Sequence, residues 1–174
     1  MESTVTNHQK NLGTFIHLST FAKWFFPFGN FIAPLILWSA QKNKSHFIDK
    51  NGREAINFQL SILLYTIALV IISIPFFVWQ GIQLEGTNAA LYINDSIHSQ
   101  GDVASLGPIL IIAIIVGALV LGIAFFEIIS VVSAAIKASK GEDFSYPLTI
   151  NFIKSTIEEK EDTDPPIDEV LNQE

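Results

Sequence analysis

Glu127 is the residue in this chain with the most evident capacity for chemistry. It is the only charge in the apolar stretch 106–136. Lys137 follows ten residues later, about 15 Å along a helix. If Lys137 marks a membrane interface, Glu127 lies near mid-bilayer. A lipid-exposed carboxylate is expensive there, so the side chain must face protein, water or another subunit. Three readings stay open: a proton or cation site, a structural hydrogen bond or ion pair, and a protonated carboxyl that is simply tolerated. Lys23 also lies in an apolar stretch and is a candidate partner. Asn30, beside Gly29, and Asn57, with Gln59, are the next polar candidates. They suit hydrogen bonds across helices or to carbonyls freed by Pro27 and Pro34. His17 is an interface residue or a helix contact.

No set of residues has the spacing of a catalytic motif. There is no phosphate loop, no HExxH and no serine-centred nucleophile. The chain has no cysteine, so disulfides and thiolate chemistry are excluded. The four histidines are far apart in sequence and suggest no metal site. No cofactor is expected, and the chain reads as a non-enzyme. A net charge of -7 without a basic patch argues against nucleic acid as a partner.

The elements that must position these residues are membrane helices. Only 16% of residues are charged, against roughly 25% in soluble domains. Residues 60–79 carry no charge, and 106–136 carry Glu127 alone. Each run can cross a core roughly 30 Å thick. Residues 12–38 are apolar but interrupted by Lys23, Pro27, Gly29, Asn30 and Pro34. This segment reads as a single kinked span, with two alternatives: a surface helix followed by a short second piece, and a re-entrant hairpin that starts and ends on one side. The predicted fold is therefore all-α: a small polytopic helical membrane protein of about three transmembrane helices with a proline-broken first segment. Residues 1–11 read as a polar arm, 12–154 as the membrane domain and 155–174 as an acidic, disordered tail. The first ten residues are polar and match no cleavable leader, so the first apolar segment reads as mature protein.

Residues 39–56 form a basic loop, with a turn over 49–52 and Gly52 as its left-handed residue. Residues 80–105 carry Glu85, Asp95 and Asp102 but no base, and include a soft segment that suits a short interfacial helix. Lys137, Lys140 and Lys154 follow the last apolar run. The excess of bases places 39–56 and the C-terminus in the cytoplasm and 80–105 outside a bacterial inner membrane. Lys137, Lys140 and Gly141 read as a helix stop. Residues 142–154 suggest an interfacial piece, with Phe144, Tyr146, Leu148, Ile150 and Phe152 alternating toward one side. Small residues recur four apart, including Ala113 with Gly117, Ala118 with Gly122, Ser130 with Ala134, and Ala134 with Ala138. Such rows let another helix approach closely.

Four pieces of sequence together carry a resemblance. They are His17-Leu18-Ser19; Pro27-Phe28-Gly29-Asn30 with Ala33-Pro34-Leu35-Ile36 and Trp38; Phe47 to Ala55 leading into Asn57-Phe58-Gln59; and Ala134-Ala135-Ile136-Lys137-Ala138 with Gly141-Glu142 and Tyr146-Pro147-Leu148-Thr149. On these the chain resembles the Tic20-like (DUF4870) family of small prokaryotic membrane proteins. The resemblance implies a shared helical architecture and a distant topological likeness to a protein-import channel component. The expected function is that of a non-enzymatic accessory or structural subunit. Its partners would be the lipid bilayer and other membrane proteins, or copies of itself, through faces that include Gly117 and Gly122. The alternatives are a small transport or channel subunit using Glu127 in an oligomer, and a scaffold whose acidic tail recruits a soluble partner.

Overall fold

The computed structural model describes residues 5–86 and 107–154. Most of the loop 80–105 and the tail 155–174 lie outside the described residues, as does the interfacial helix suggested for that loop. Among the described residues four α-helices carry the fold: α1 (Asn7–Leu18), α2 (Gly29–Gln41), α3 (His46–Gly86) and α4 (Gly107–Lys140). A 3-10 segment, Ser19–Trp24, prolongs α1, and a single 3-10 turn, Lys42–Lys44, joins α2 to α3. The described residues contain no strand.

Residues 7–11 form the first turns of α1. Thr6 explains why: its hydroxyl accepts from the Gln9 amide, and the Gln9 side chain accepts from the Thr6 amide. This reciprocal capping satisfies two donors that the first helical turn leaves open.

The chain forms two compact units. The first contains residues 1–61 and 129–174, and the second residues 62–128. In the second unit, long apolar stretches of α3 and α4 turn their side chains outward, among them Ile67, Ile71, Ile114 and Leu121. Among the described residues, two helices are long and apolar enough to cross a membrane, His46–Ile82 and Gly107–Lys140. The core helix of a soluble protein would bury such a stretch, yet no residue of the most apolar window of α4 is buried. Lipid is the solvent that suits these faces.

No helix within residues 12–38 is long enough to cross a membrane by itself. Residues 12–38 fold as α1, the 3-10 segment and α2, with a reversal at Phe25–Phe28. Phe28 is left-handed, with φ 61°. Gly29 lies against the backbone of Ala22 and Lys23, and a β-carbon at Gly29 would come within 2.8 Å of the Lys23 amide nitrogen. That contact allows only glycine, and it holds the two arms of the hairpin together. Pro27 belongs to the reversal. Pro34 breaks nothing, since α2 runs through it.

The turn expected over 49–52 is also absent, because α3 begins at His46 and is helical there. Asn51 donates to the Phe47 carbonyl at 2.7 Å, and Arg53 pairs with Asp49 one turn away at 3.0 Å. Gly52 serves packing instead of a turn: a β-carbon there would lie 2.7 Å from Trp38 Cβ and closer still to the indole ring. At its other end, α4 stops as its sequence suggests. Gly141 has φ +83°, its amide donates to Ala138 O, and the Glu142 amide donates to Lys137 O, both at 3.0 Å. These are the paired bonds of a Schellman cap.

Candidate functional site

Polar residues far apart in sequence converge in the first unit, around the start of α3. Ile16, Ile48 and Ala55 form its apolar centre, with Leu12 and Leu37 packed against them. Gly13 lets α1 approach closely: a β-carbon there would lie 3.0 Å from the Phe47 ring and 3.5 Å from Ala138 Cβ. Thr14 completes that seam by donating to the Lys10 carbonyl at 2.8 Å, with the Ala135 carbonyl at 3.4 Å.

His17 is fully buried beside this centre. Its Nε2 lies 2.7 Å from Asn51 Oδ1, and its Nδ1 lies 2.9 Å from the Tyr146 hydroxyl. The tautomer follows from the partners. The Asn51 amide nitrogen is committed to the Phe47 carbonyl, so Oδ1 must accept from His17. His17 therefore carries its proton on Nε2, and Nδ1 accepts from Tyr146. Burial pushes the imidazole pKa down to about 4, with the Asn51 bond partly opposing the shift. The ring is a neutral pin joining α1, α3 and the segment after α4.

That segment, residues 142–154, is a strap along α3. Lys50 pairs with Asp143 at 2.7 Å. The Glu54 carboxylate accepts from the Tyr146 amide at 3.2 Å and from the Ser145 hydroxyl at 3.3 Å. The Tyr146 ring stacks on Phe58, with centroids 4.1 Å apart. Farther along, the Ile150 amide donates to Ser61 Oγ at 2.9 Å. Asn57 then pairs with the backbone of Ile153 as a second strand would, accepting at 2.9 Å and donating at 3.1 Å. The expected alternation fails here: Tyr146 is buried, but Leu148, Ile150 and Phe152 are exposed. The bonds to Glu54, Ser61 and Asn57 set the strap's orientation, so side-chain periodicity does not.

The sequence-predicted residues fall in different places. Asn30 donates to Gln59 at 2.8 Å and links α2 to α3, while Asn57 binds the strap. Lys23 lies on the hairpin, its Nζ 5.9 Å from the Trp24 ring centre. Glu127 belongs to the second unit and is 2% exposed, the only charge in the stretch 106–136. The small-residue row divides. Ser130, Ala134 and Ala138 are buried in the first unit, whereas β-carbons at Gly117 and Gly122 would meet nothing within 4 Å. Among the described residues, no group of three or more acidic or histidine side chains is placed to hold a metal.

Sequence reasoning missed the His17–Asn51–Tyr146 pin and the strap. Neither has a spacing signal, because the pin joins residues 34 and 129 positions apart. What the arrangement does chemically is hold three chain segments in one register; in the strap, Thr149 Oγ1 is buried without a hydrogen-bond partner.

The match to known families covers this unit and both long helices. A model of the magnetosome magnetite crystal formation protein family, MamF/MmsF, matches residues 8–153. No curated protein and no solved structure matches the chain. The family match corrects the Tic20-like (DUF4870) resemblance and removes the likeness to an import-channel component. The residues behind that resemblance, such as His17, Asn30, Gly52 and Tyr146, are the ones that pack the first unit. They report a way of joining helices, which is a weaker mark of kinship than a match along most of the chain. The chain belongs to the MamF/MmsF magnetosome magnetite crystal formation family.

Proposed function

We propose that this protein is a non-enzymatic, multi-pass component of the magnetosome membrane that supports magnetite crystal formation by packing with other membrane proteins or with itself. The observation that carries this reading is the division of labour along α3 and α4. Polar side chains in the first unit bond to one another, while the apolar helices of the second face outward. The excess of bases supports 39–56 and the C-terminus on the cytoplasmic side. The acidic segment 80–105 would then face the organelle's interior, where a field of one sign concentrates cations. Removing the protein from a magnetosome-forming cell is expected to reduce crystal number or size, with recovery when it is resupplied. Crystals unchanged in both would count against the proposal.

The assembly surface is the open half of the small-residue row. A β-carbon at Gly117 or Gly122 would meet nothing within 4 Å, so replacing both with Leu is expected to leave the packing of this chain intact. The same change blocks close approach by another helix. The expected result is a smaller assembly on native gels with undiminished thermal stability. An unchanged assembly size would exclude this face.

The burial of Glu127 favours one alternative, a small transport subunit in which several copies line a path. Ion or proton flux in reconstituted vesicles that disappears in Glu127→Gln would support it, and flux indifferent to that change would exclude the carboxylate.

A further inference from the structure

Two stretches of the first unit carry no charge and turn apolar side chains outward. One is the hairpin, residues 24–41, and the other is the strap, residues 144–153. The hairpin stretch starts at its tip and runs back to the charged end of α3, and the strap leaves that end and turns back toward it. Trp38, near the end of α2, donates to Asp49, whereas Asn30, near its start, bonds Gln59. The strap binds Glu54 through Tyr146, reaches Ser61 through Ile150 and comes back to Asn57 at Ile153. Glu54 is the last charge on α3 before Glu85. Gln59 and Ser61 lie five to seven residues beyond Glu54, about 10 Å along the helix. The two tips therefore reach the same level, inside the apolar stretch of α3 but well short of its middle.

The side chains at these tips are wrong for water. Phe25 is 88% exposed and Leu148 72%, with Trp24, Phe28, Ile150 and Phe152 also exposed. Phe28 and Leu148 are the only non-glycine residues with positive φ among the described residues. A left-handed turn position in water is usually taken by Gly or Asn. Here both hold a bulky apolar side chain that points away from the protein. Charges flank each stretch: Lys23, Lys42 and Lys44 around the hairpin, Glu142, Asp143 and Lys154 around the strap.

We propose that both tips insert among the acyl chains of the leaflet on the basic side and stop short of the bilayer midplane. They would act as two shallow wedges beside the crossing helices. Apolar segments seated this way enter about 5–10 Å below the headgroups and respond to membrane curvature. Insertion into one leaflet expands that leaflet, so the protein would favour membrane convex on its basic side.

The absence of cysteine allows a direct test on the full chain. Phe25→Cys and Leu148→Cys are labelled with a nitroxide and reconstituted at low density in phosphatidylcholine–phosphatidylglycerol vesicles. Lys44→Cys and Ile72→Cys serve as references for water and for the span. Collisions with oxygen and with a water-soluble nickel chelate are expected to place Phe25 and Leu148 about 5–10 Å deep, between the two references. Labels that meet the nickel chelate as freely as Lys44 does would overturn the wedges, as would labels as deep as Ile72. Labels sheltered from both reagents would mean a protein cover, such as a second copy, and would also overturn them. An Ile72 label in water would instead refute the crossing helices on which the proposal rests. On narrow tubes pulled from giant vesicles, basic side outward, the protein is expected to be enriched over the flat membrane. Equal density would overturn the curvature preference.

Discussion

Acidification from pH 7 to pH 4 is expected to cost the first unit roughly 3 kcal/mol of stability, and His17→Gln is expected to abolish that loss. The figure follows from a pKa that falls from 6.5 to about 4 on folding, at about 1.4 kcal/mol per unit. Above pH 6.5 the imidazole is neutral in both the folded and unfolded chain, and pH has no leverage through it. Between 6.5 and about 4 the unfolded chain takes up a proton that the folded chain refuses, so stability falls as pH falls. Below about 4 both states are protonated and the effect is complete. The structural reason is burial, which penalises the charged ring; protonation at Nδ1 would also force the Tyr146 hydroxyl to turn from donor to acceptor. Carboxylates such as Glu54 remain in both proteins, so the difference between the two stability-versus-pH curves isolates the imidazole. Thermal melts in detergent across this range give both curves. Parallel curves would show that His17 does not control the acid response.

The second large effect is at Gly52. In an open helical position, Gly→Ala stabilises by about 0.8–1 kcal/mol. Here the opposite sign is expected, a loss of about 1–3 kcal/mol from overpacking. The added methyl would collide with Trp38 near its Cβ, where the side chain has no freedom to swing away. Moving the indole also breaks its 2.9 Å bond to Asp49, which fixes α2 against α3. Combining Gly52→Ala with Trp38→Leu should therefore cost less than the sum of the two changes, as coupled neighbours do. Equilibrium unfolding of the four proteins measures the coupling. A Gly52→Ala chain as stable as the parent would mean that the close approach of Trp38 is not a constraint.

The parts of this fold legible in the sequence are those encoded locally. The apolar runs announced α3 and α4, and Lys137, Lys140 and Gly141 announced the end of α4. Hydropathy could not distinguish a kinked span from a hairpin, because both place Pro27 and Pro34 in the same apolar run of sequence. The contact between Gly29 and Ala22 decides that question, and it exists only in three dimensions. Gly52 was misread because Asp-Lys-Asn-Gly is good turn chemistry on its own. The packing of Trp38 overrides that preference, and the bond from Asn51 to Phe47 helps hold the helix. Of the candidate residues, Asn30 and Asn57 do bridge segments, though the partner of Asn57 is a strap that no periodicity marks. Gly117 and Gly122 were legible as small residues, but their openness depends on which half of α4 packs against the rest of the chain.

The pin at His17 also fixes an order of events during synthesis. Its phenol partner lies 129 residues downstream, and the carbonyl near Thr14 lies 121 residues downstream. Contacts so distant in sequence form late, after both long helices have left the ribosome. Until then Gly13 lacks Ala138 and His17 lacks Tyr146, so α1 waits with an unsatisfied face. A nascent chain that ends before Ile129 carries the hairpin but cannot close around it. The finished molecule is thus marked by an N-terminal helix whose histidine, bonded early to Asn51, has also gained its phenol.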